Sequence, residues 1–180
     1  MEFSKEQKNE LLDHARQVLN LMIKSGKKLE EDSTDTNYLE SAGVFISLHK
    51  GNELRGCTGY IEPVSSIWDA ITENTITAAI NDIRFSEVAV EELEDITIEI
   101  SILTPSRECT IEEIEIGQNG VILQQGSHKA TYLPQVWKDL NNKEQFFAKL
   151  CQKAGLDSSC WTDSKTKFYR YDAIVFSERS

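Results

Sequence analysis

The chain has 180 residues, 39% hydrophobic and 27% charged, with 30 acidic side chains against 19 basic ones and a formal net charge of -11. That composition fits one large globular domain, or two small lobes sharing a core, and excludes a disordered or fibrous chain. The acidic balance argues against nucleic acid or anionic membrane as a partner, because phosphate binding rests on counterion release onto Lys and Arg. No apolar run approaches the roughly 20 residues that span a bilayer. Met1-Glu2-Phe3-Ser4 starts no basic-capped apolar leader, so the expected compartment is the cytoplasm.

Ser4 and Gln7 form a capping-box pattern, and Leu11, Leu12, Ala15, Val18, Leu19, Met22 and Ile23 recur at helical spacing until Gly26 stops them. His14 falls on the polar side of this helix and is expected to be exposed. Residues 27–42 carry no period and read as a mobile loop. Val44 to Leu48 and Leu54 to Gly59 read as a hairpin around Gly51-Asn52. Ser65 is the expected N-cap of a helix with Ile67, Ala70, Ile71, Asn74 and Ala78 on one stripe, ending near Asn81 or Asp82. The acidic run Glu91 to Asp95 reads as a solvated face with no function. Ile96, Ile98, Ile100 and Ile102 then alternate with polar residues as a half-buried strand stopped by Pro105.

A second round follows. Gly120-Val121-Ile122-Leu123 echoes Gly43-Val44-Phe45-Ile46, Gly126-Ser127 supplies a turn, Lys129 to Leu133 is strand-like, Asn142 to Gly155 is helical, and Lys167 to Phe176 reads as one long strand. We read an α+β protein: two ββαβ units, residues 43–104 and 120–176, with largely antiparallel sheets, behind an N-terminal helix in residues 1–26. Together they make a single domain over residues 1–180, and a cleft between the units is the natural place for a site.

The best candidate for chemistry is Leu54-Arg55-Gly56-Cys57-Thr58-Gly59. Two glycines around a cysteine mark backbone that bends unusually or lets another group approach closely. A two-residue turn places Cys57 opposite Ile46 and Arg55 opposite Leu48, on an apolar face away from His49; a one-residue bulge would reverse that. The positive N-terminus of the following helix would act on the thiol if it pointed at Cys57. Asp82 and Arg84 either tie down the end of that helix or bind a ligand. Cys57, Cys109, Cys151 and Cys160 contain no Cys-x-x-Cys pair and have no His at ligand spacing, so they read as free thiols without a metal. No phosphate loop, dinucleotide fingerprint or other cofactor motif occurs.

LRGCTG at 54–59, NDIRF at 81–85, ATYLPQVW at 130–137 and LCQKAGL at 150–156, in that order, resemble the AMMECR-type domain family, whose microbial members are called AmmeMemoRadiSam system protein A. The family usually has Ile where this chain has Thr58 and Pro where it has Ile83. The resemblance implies an α+β fold of duplicated units and a genomic association with a Memo-type protein and a radical-SAM protein; it names no reaction.

Two functions are expected from these readings. The preferred one is a binding or regulatory module acting with Memo-type and radical-SAM partners, or on a small anionic ligand, through a cleft lined by LRGCTG. Its binding residues would be Arg55, Gly56, Thr58, Gly59, Asp82 and Arg84. The alternative is an enzyme with Cys57 as nucleophile or covalent carrier and His128 as base.

Overall fold

The computed structural model describes residues 2–33, 35–140 and 142–178. They form two compact units, Met1–Leu103 with Ile174–Ser180, and Thr104–Ala173.

In the first unit, helix α1 (Lys5–Ser25) starts at the predicted capping box of Ser4 and Gln7 and ends at Gly26 with φ of 66°. Strands β1 (Gly43–Lys50) and β2 (Glu53–Tyr60) are followed by helix α2 (Ile67–Ile80) and strand β3 (Ile96–Leu103). The sheet order is β2-β1-β3-β8, with β8 (Ala173–Ser177) coming from the far end of the chain. Val44, Ile46 and Leu48 with Ile98, Ile100 and Ile102 are fully buried on the helix-covered face. Each such side chain contributes roughly 1.5–3 kcal/mol of apolar burial. The stripe Ile67, Ala70, Ile71, Asn74, Ala78 faces inward as predicted, although the N-cap is Ser66 rather than Ser65.

In the second unit, β4 (Arg107–Cys109), β5 (Gly120–Gln125), β6 (His128–Tyr132) and β7 (Lys167–Tyr171) form a sheet in the order β4-β7-β5-β6, with helix α3 (Lys143–Lys153) between β6 and β7. Its core is aromatic. Trp137 stacks on Phe146 with ring centroids 3.6 Å apart, and Phe147 meets Phe146 edge-on. The fold is therefore α+β, with antiparallel ladders in both sheets. In each ββαβ run the first strand is central and is flanked by the second and third.

Four expectations need correction. His14 is not exposed: it is 2% accessible, stacked 3.6 Å from the Trp68 ring, with Nε2 2.8 Å from the Thr72 hydroxyl. The loop over residues 27–42, of which Thr34 lies outside the described residues, is anchored. Tyr38 within it is fully buried, donates to Glu10 at 2.8 Å and stacks on Trp68, whose indole N–H donates to the Glu31 carbonyl. The long C-terminal strand is broken at Asp172, and its second half joins the first sheet. Cys151 and Cys160 form a disulfide, leaving Cys57 and Cys109 as free thiols.

Candidate functional site

The hexapeptide lies on β2, an edge strand. The turn is the predicted one, with Lys50 opposite Glu53, but the register shifts between Leu48 and His49. Leu54 pairs with His49 and Gly56 with Leu48, so Arg55 is the extra residue of a bulge. Cys57 then stands opposite Ser47, not Ile46, and its side chain projects from the face that also carries Phe45 and His49. This overturns the apolar placement expected for the thiol. The Ser47 hydroxyl, buried beside it, donates to Cys57 Sγ at 3.5 Å.

Each remaining residue of the segment has a visible task. Arg55 grips Glu92 with two parallel bonds, Nε to Oε1 at 3.0 Å and Nη2 to Oε2 at 2.9 Å. The same guanidinium also donates to the carbonyls of Ser86 and Glu87. Its donors are thus committed to holding residues 86–92 against β2. The Glu92 carboxyl is drawn down to about 2 by Arg55 first and then by the Ala89 N–H, because both favour the charged form. Glu92 belongs to the acidic run expected to be a plain solvated face, but it is half-buried and paired with Arg55.

Neither Gly56 nor Gly59 has positive φ; their role is close approach. A Cβ on Gly56 would lie 2.2 Å from the Ala78 carbonyl oxygen of α2, and one on Gly59 would lie 2.3 Å from the Phe45 ring. Thr58 pairs with Ile46 on the helix-covered face. The end of α2 that meets the hexapeptide is consequently its C-terminal one, not the N-terminal end considered from the sequence.

Just past that C-terminus, Asp82 and Arg84 close the outer edge of the strand. The Cys57 N–H donates to Asp82 Oδ2 at 2.9 Å, and Arg84 Nη2 donates to the Cys57 carbonyl at 3.0 Å. The two side chains are paired by Nε to Oδ1 at 2.9 Å and Nη2 to Oδ2 at 2.7 Å. Arg84 first, then the Cys57 N–H, hold the Asp82 carboxyl well below the usual carboxylate range, and Asp82 in turn raises Arg84. An edge strand otherwise offers its unpaired groups to any passing chain. Here one ion pair satisfies both backbone polar groups of one residue. Because these groups point away from β1, Cys57 and Ser47 are a non-hydrogen-bonded pair, the closer of the two antiparallel kinds.

His128 belongs to the other unit. It opens β6, and its Nδ1 lies 3.0 Å from the Ala154 carbonyl, which can only accept, so Nδ1 carries the proton. On the thiol-bearing face of the first sheet, His49, Asn52, Thr97, Glu99 and Ser177 line a concavity of about 460 Å³. Ser47 is flanked by Cys57 on one side and Glu99 on the other. Thiol, hydroxyl and carboxylate therefore form one row across three strands. Ser47 and Glu92 escaped sequence reasoning, since a serine in an alternating strand and a glutamate in an acidic run carry no local signal.

The AMMECR1 family profile matches residues 12–176. A protein of Methanothermobacter thermautotrophicus is 36% identical over 185 residues, covering 97% of this chain and 96% of its own. Protein MJ0810 of Methanocaldococcus jannaschii is 37% identical over 175 residues, covering 92% and 87%. The crystal structure of uncharacterized protein PH0010 from Pyrococcus horikoshii superposes with a TM-score of 0.92 at 32% identity, covering 98% of this chain and 94% of that one.

Proposed function

The chain belongs to the AMMECR1 family, and from that premise we propose that it is a binding module whose working surface is the thiol-bearing face of the LRGCTG strand. The observation that carries this reading is the grip of Asp82 and Arg84 on the backbone N–H and carbonyl of Cys57. Two ion pairs and two closely packed glycines fix this ribbon, and what they leave to meet another molecule is the half-buried Cys57 and His49, with Ser47 buried beneath the thiol. Most of the N–H donors of Arg55 and of Arg84 are spent inside the unit, which weighs against a small anionic ligand and for a protein partner. A Memo-type or radical-SAM protein is the partner class that the resemblance implies.

The test uses a Cys109→Ser background, so that N-ethylmaleimide labels Cys57 as the free thiol. Affinity for co-expressed Memo-type and radical-SAM proteins is measured before and after labelling. A loss of about tenfold or more, equal to about 1.4 kcal/mol, is expected; full affinity of the labelled chain would sink the reading.

A second reading, thiol chemistry, is favoured by the bulge. It brings His49 to the same face as Cys57, and the Ser47 hydroxyl points at Sγ. His49, rather than His128, is then the base, and Cys57 the nucleophile. Iodoacetamide labelling of Cys57 would run faster at neutral pH than that of a free cysteine and slow in His49→Ala. Equal rates in the two chains would exclude it.

A further inference from the structure

The second unit holds two guanidinium groups that its own carboxylates leave unmatched. Arg107 of β4 and Arg170 of β7 are direct partners across that antiparallel pair. Their side chains share a face with Cβ atoms roughly 5 Å apart, an arrangement in which like charges repel. In a chain with 30 acidic residues against 19 basic ones, cations placed this way would be expected to find carboxylates. Among the described residues neither Arg107 nor Arg170 forms an ion pair.

Arg170 gives one N–H to the Glu113 carbonyl at 2.6 Å, while its Nε is buried with no partner. A buried donor without a partner keeps its full desolvation penalty, and more so when it is charged. Both arginines line a concavity of about 260 Å³ with Thr104, Asn119, Tyr171 and Asp172. On the same wall the Asp172 carboxylate accepts from Asn119 Nδ2 at 2.9 Å.

We propose that this concavity binds a small oxyanion, a carboxylate or phosphate group, clasped by Arg107 and Arg170. An anion between the two guanidinium groups turns their repulsion into attraction, and their planar forks match either group through paired charge-assisted bonds. The volume lies just below the usual range for drug-sized ligands, so it suits one anionic group or the anionic end of a larger molecule. The Asp172 carboxylate on the wall opposes a polyanion. Nothing in this proposal rests on Cys57.

Melting temperatures of the full chain are measured while titrating inorganic phosphate and, separately, acetate, each against chloride at equal ionic strength. One of the two should raise the melting temperature by a few degrees and saturate, and the winning arm names the group. Arg107→Gln, at an exposed position that can be changed without opening the core, should weaken that binding by about tenfold or more. Arg170→Gln should do the same if it folds, while Lys165→Gln, an exposed cation outside the concavity, should not. No saturable shift with either anion, or a shift that survives in Arg107→Gln, would overturn the proposal.

Discussion

Both ββαβ runs open with a hairpin whose first strand begins Gly-Val, Gly43-Val44 in one and Gly120-Val121 in the other, yet the two hairpins are closed differently. In the second, pairing runs without interruption from Val121 opposite Tyr132 to Gln125 opposite His128. In the first it slips by one residue, and Arg55 is the surplus. On the second outer edge Lys153 Nζ donates to the Thr131 carbonyl at 2.9 Å. At Cys57 the first edge has an acceptor and a donor supplied together by an ion pair. The same strand order is thus reached in the second unit without a register shift, so topology does not demand a bulge. The bulge and the pairing of Asp82 with Arg84 set the LRGCTG hairpin apart from its counterpart.

The sharpest way to break this contrast is to add one methyl group to each hairpin. Gly56→Ala would press Cβ against the Ala78 carbonyl at 2.2 Å, a backbone atom of a packed helix that cannot swing aside. Overpacking costs typically 1–3 kcal/mol and sometimes more, and we expect about 3 kcal/mol or more here, read from urea midpoints. Gly126→Ala in the other turn meets open space at φ of 60° and should cost only about 1 kcal/mol. Similar losses at the two positions would mean that α2 does not press on the LRGCTG ribbon.

These differences also show which parts of the molecule the sequence displays. The capping box of Ser4 and Gln7, the isoleucines of β3 and the Gly51-Asn52 turn are local patterns, and each appears where local chemistry puts it. The bulge is not local. Glycine-flanked backbone admits both registers, and what selects one is a clamp between Arg55 and Glu92, 37 positions apart. His14 was misread for a similar reason: its helix presents it among polar neighbours, but Trp68, 54 positions later, supplies the stacking face that buries it. The Asp82 and Arg84 pair was legible as a tie near the helix end, though not as the partner of the Cys57 peptide.

Burial of His14 gives the first unit a pH dependence separable from that of its clamps. Desolvation lowers the imidazole from 6.5 to about 4, against an opposing pull from Asp69. The unfolded chain therefore binds this proton more readily than the folded one. Stability is full above pH 6.5 and should fall by on the order of 3 kcal/mol as the pH drops towards 4. Asp82 and Glu92 are shifted down by their arginines, so their contribution is present above about pH 4.5 and is lost only below it. Urea midpoints followed through Trp68, in a chain with Trp137 and Trp161 replaced by Phe, should decline from pH 7 to 5 and flatten in His14→Gln. A flat profile in the unaltered His14 chain would contradict the burial.

In the second unit the corresponding reinforcement is covalent. The disulfide from Cys151 on α3 to Cys160 joins residues nine apart in sequence. Closing so short a loop restricts the unfolded chain by roughly 2–3 kcal/mol. Dithiothreitol should lower the stability of this unit by that amount, reported by Trp161 beside Cys160, and leave the Trp68 signal of the first unit unmoved. A concerted shift of both signals would show that the units unfold as one.

The smallest effect separates the two cations that share Glu92. Lys50 Nζ sits 3.3 Å from Oε1 with its side chain 45% accessible, whereas Arg55 is only 14% accessible and holds both oxygens. An exposed, single-contact pair pays side-chain entropy for a screened attraction, so Lys50→Ala should cost at most about 0.5 kcal/mol, and less in high salt. Arg55→Lys keeps the charge but loses the fork and strands the carbonyls of Ser86 and Glu87, and it should cost about 1.5 kcal/mol or more. The bulge requires this inequality. Arg55 is the residue that the shifted register frees from pairing, and it can hold residues 86–92 against β2 only because it is free. If Lys50→Ala and Arg55→Lys prove equally mild, the clamp does not set the register, and the position of Cys57 on its face of the sheet must be fixed by Gly56 and Gly59 alone.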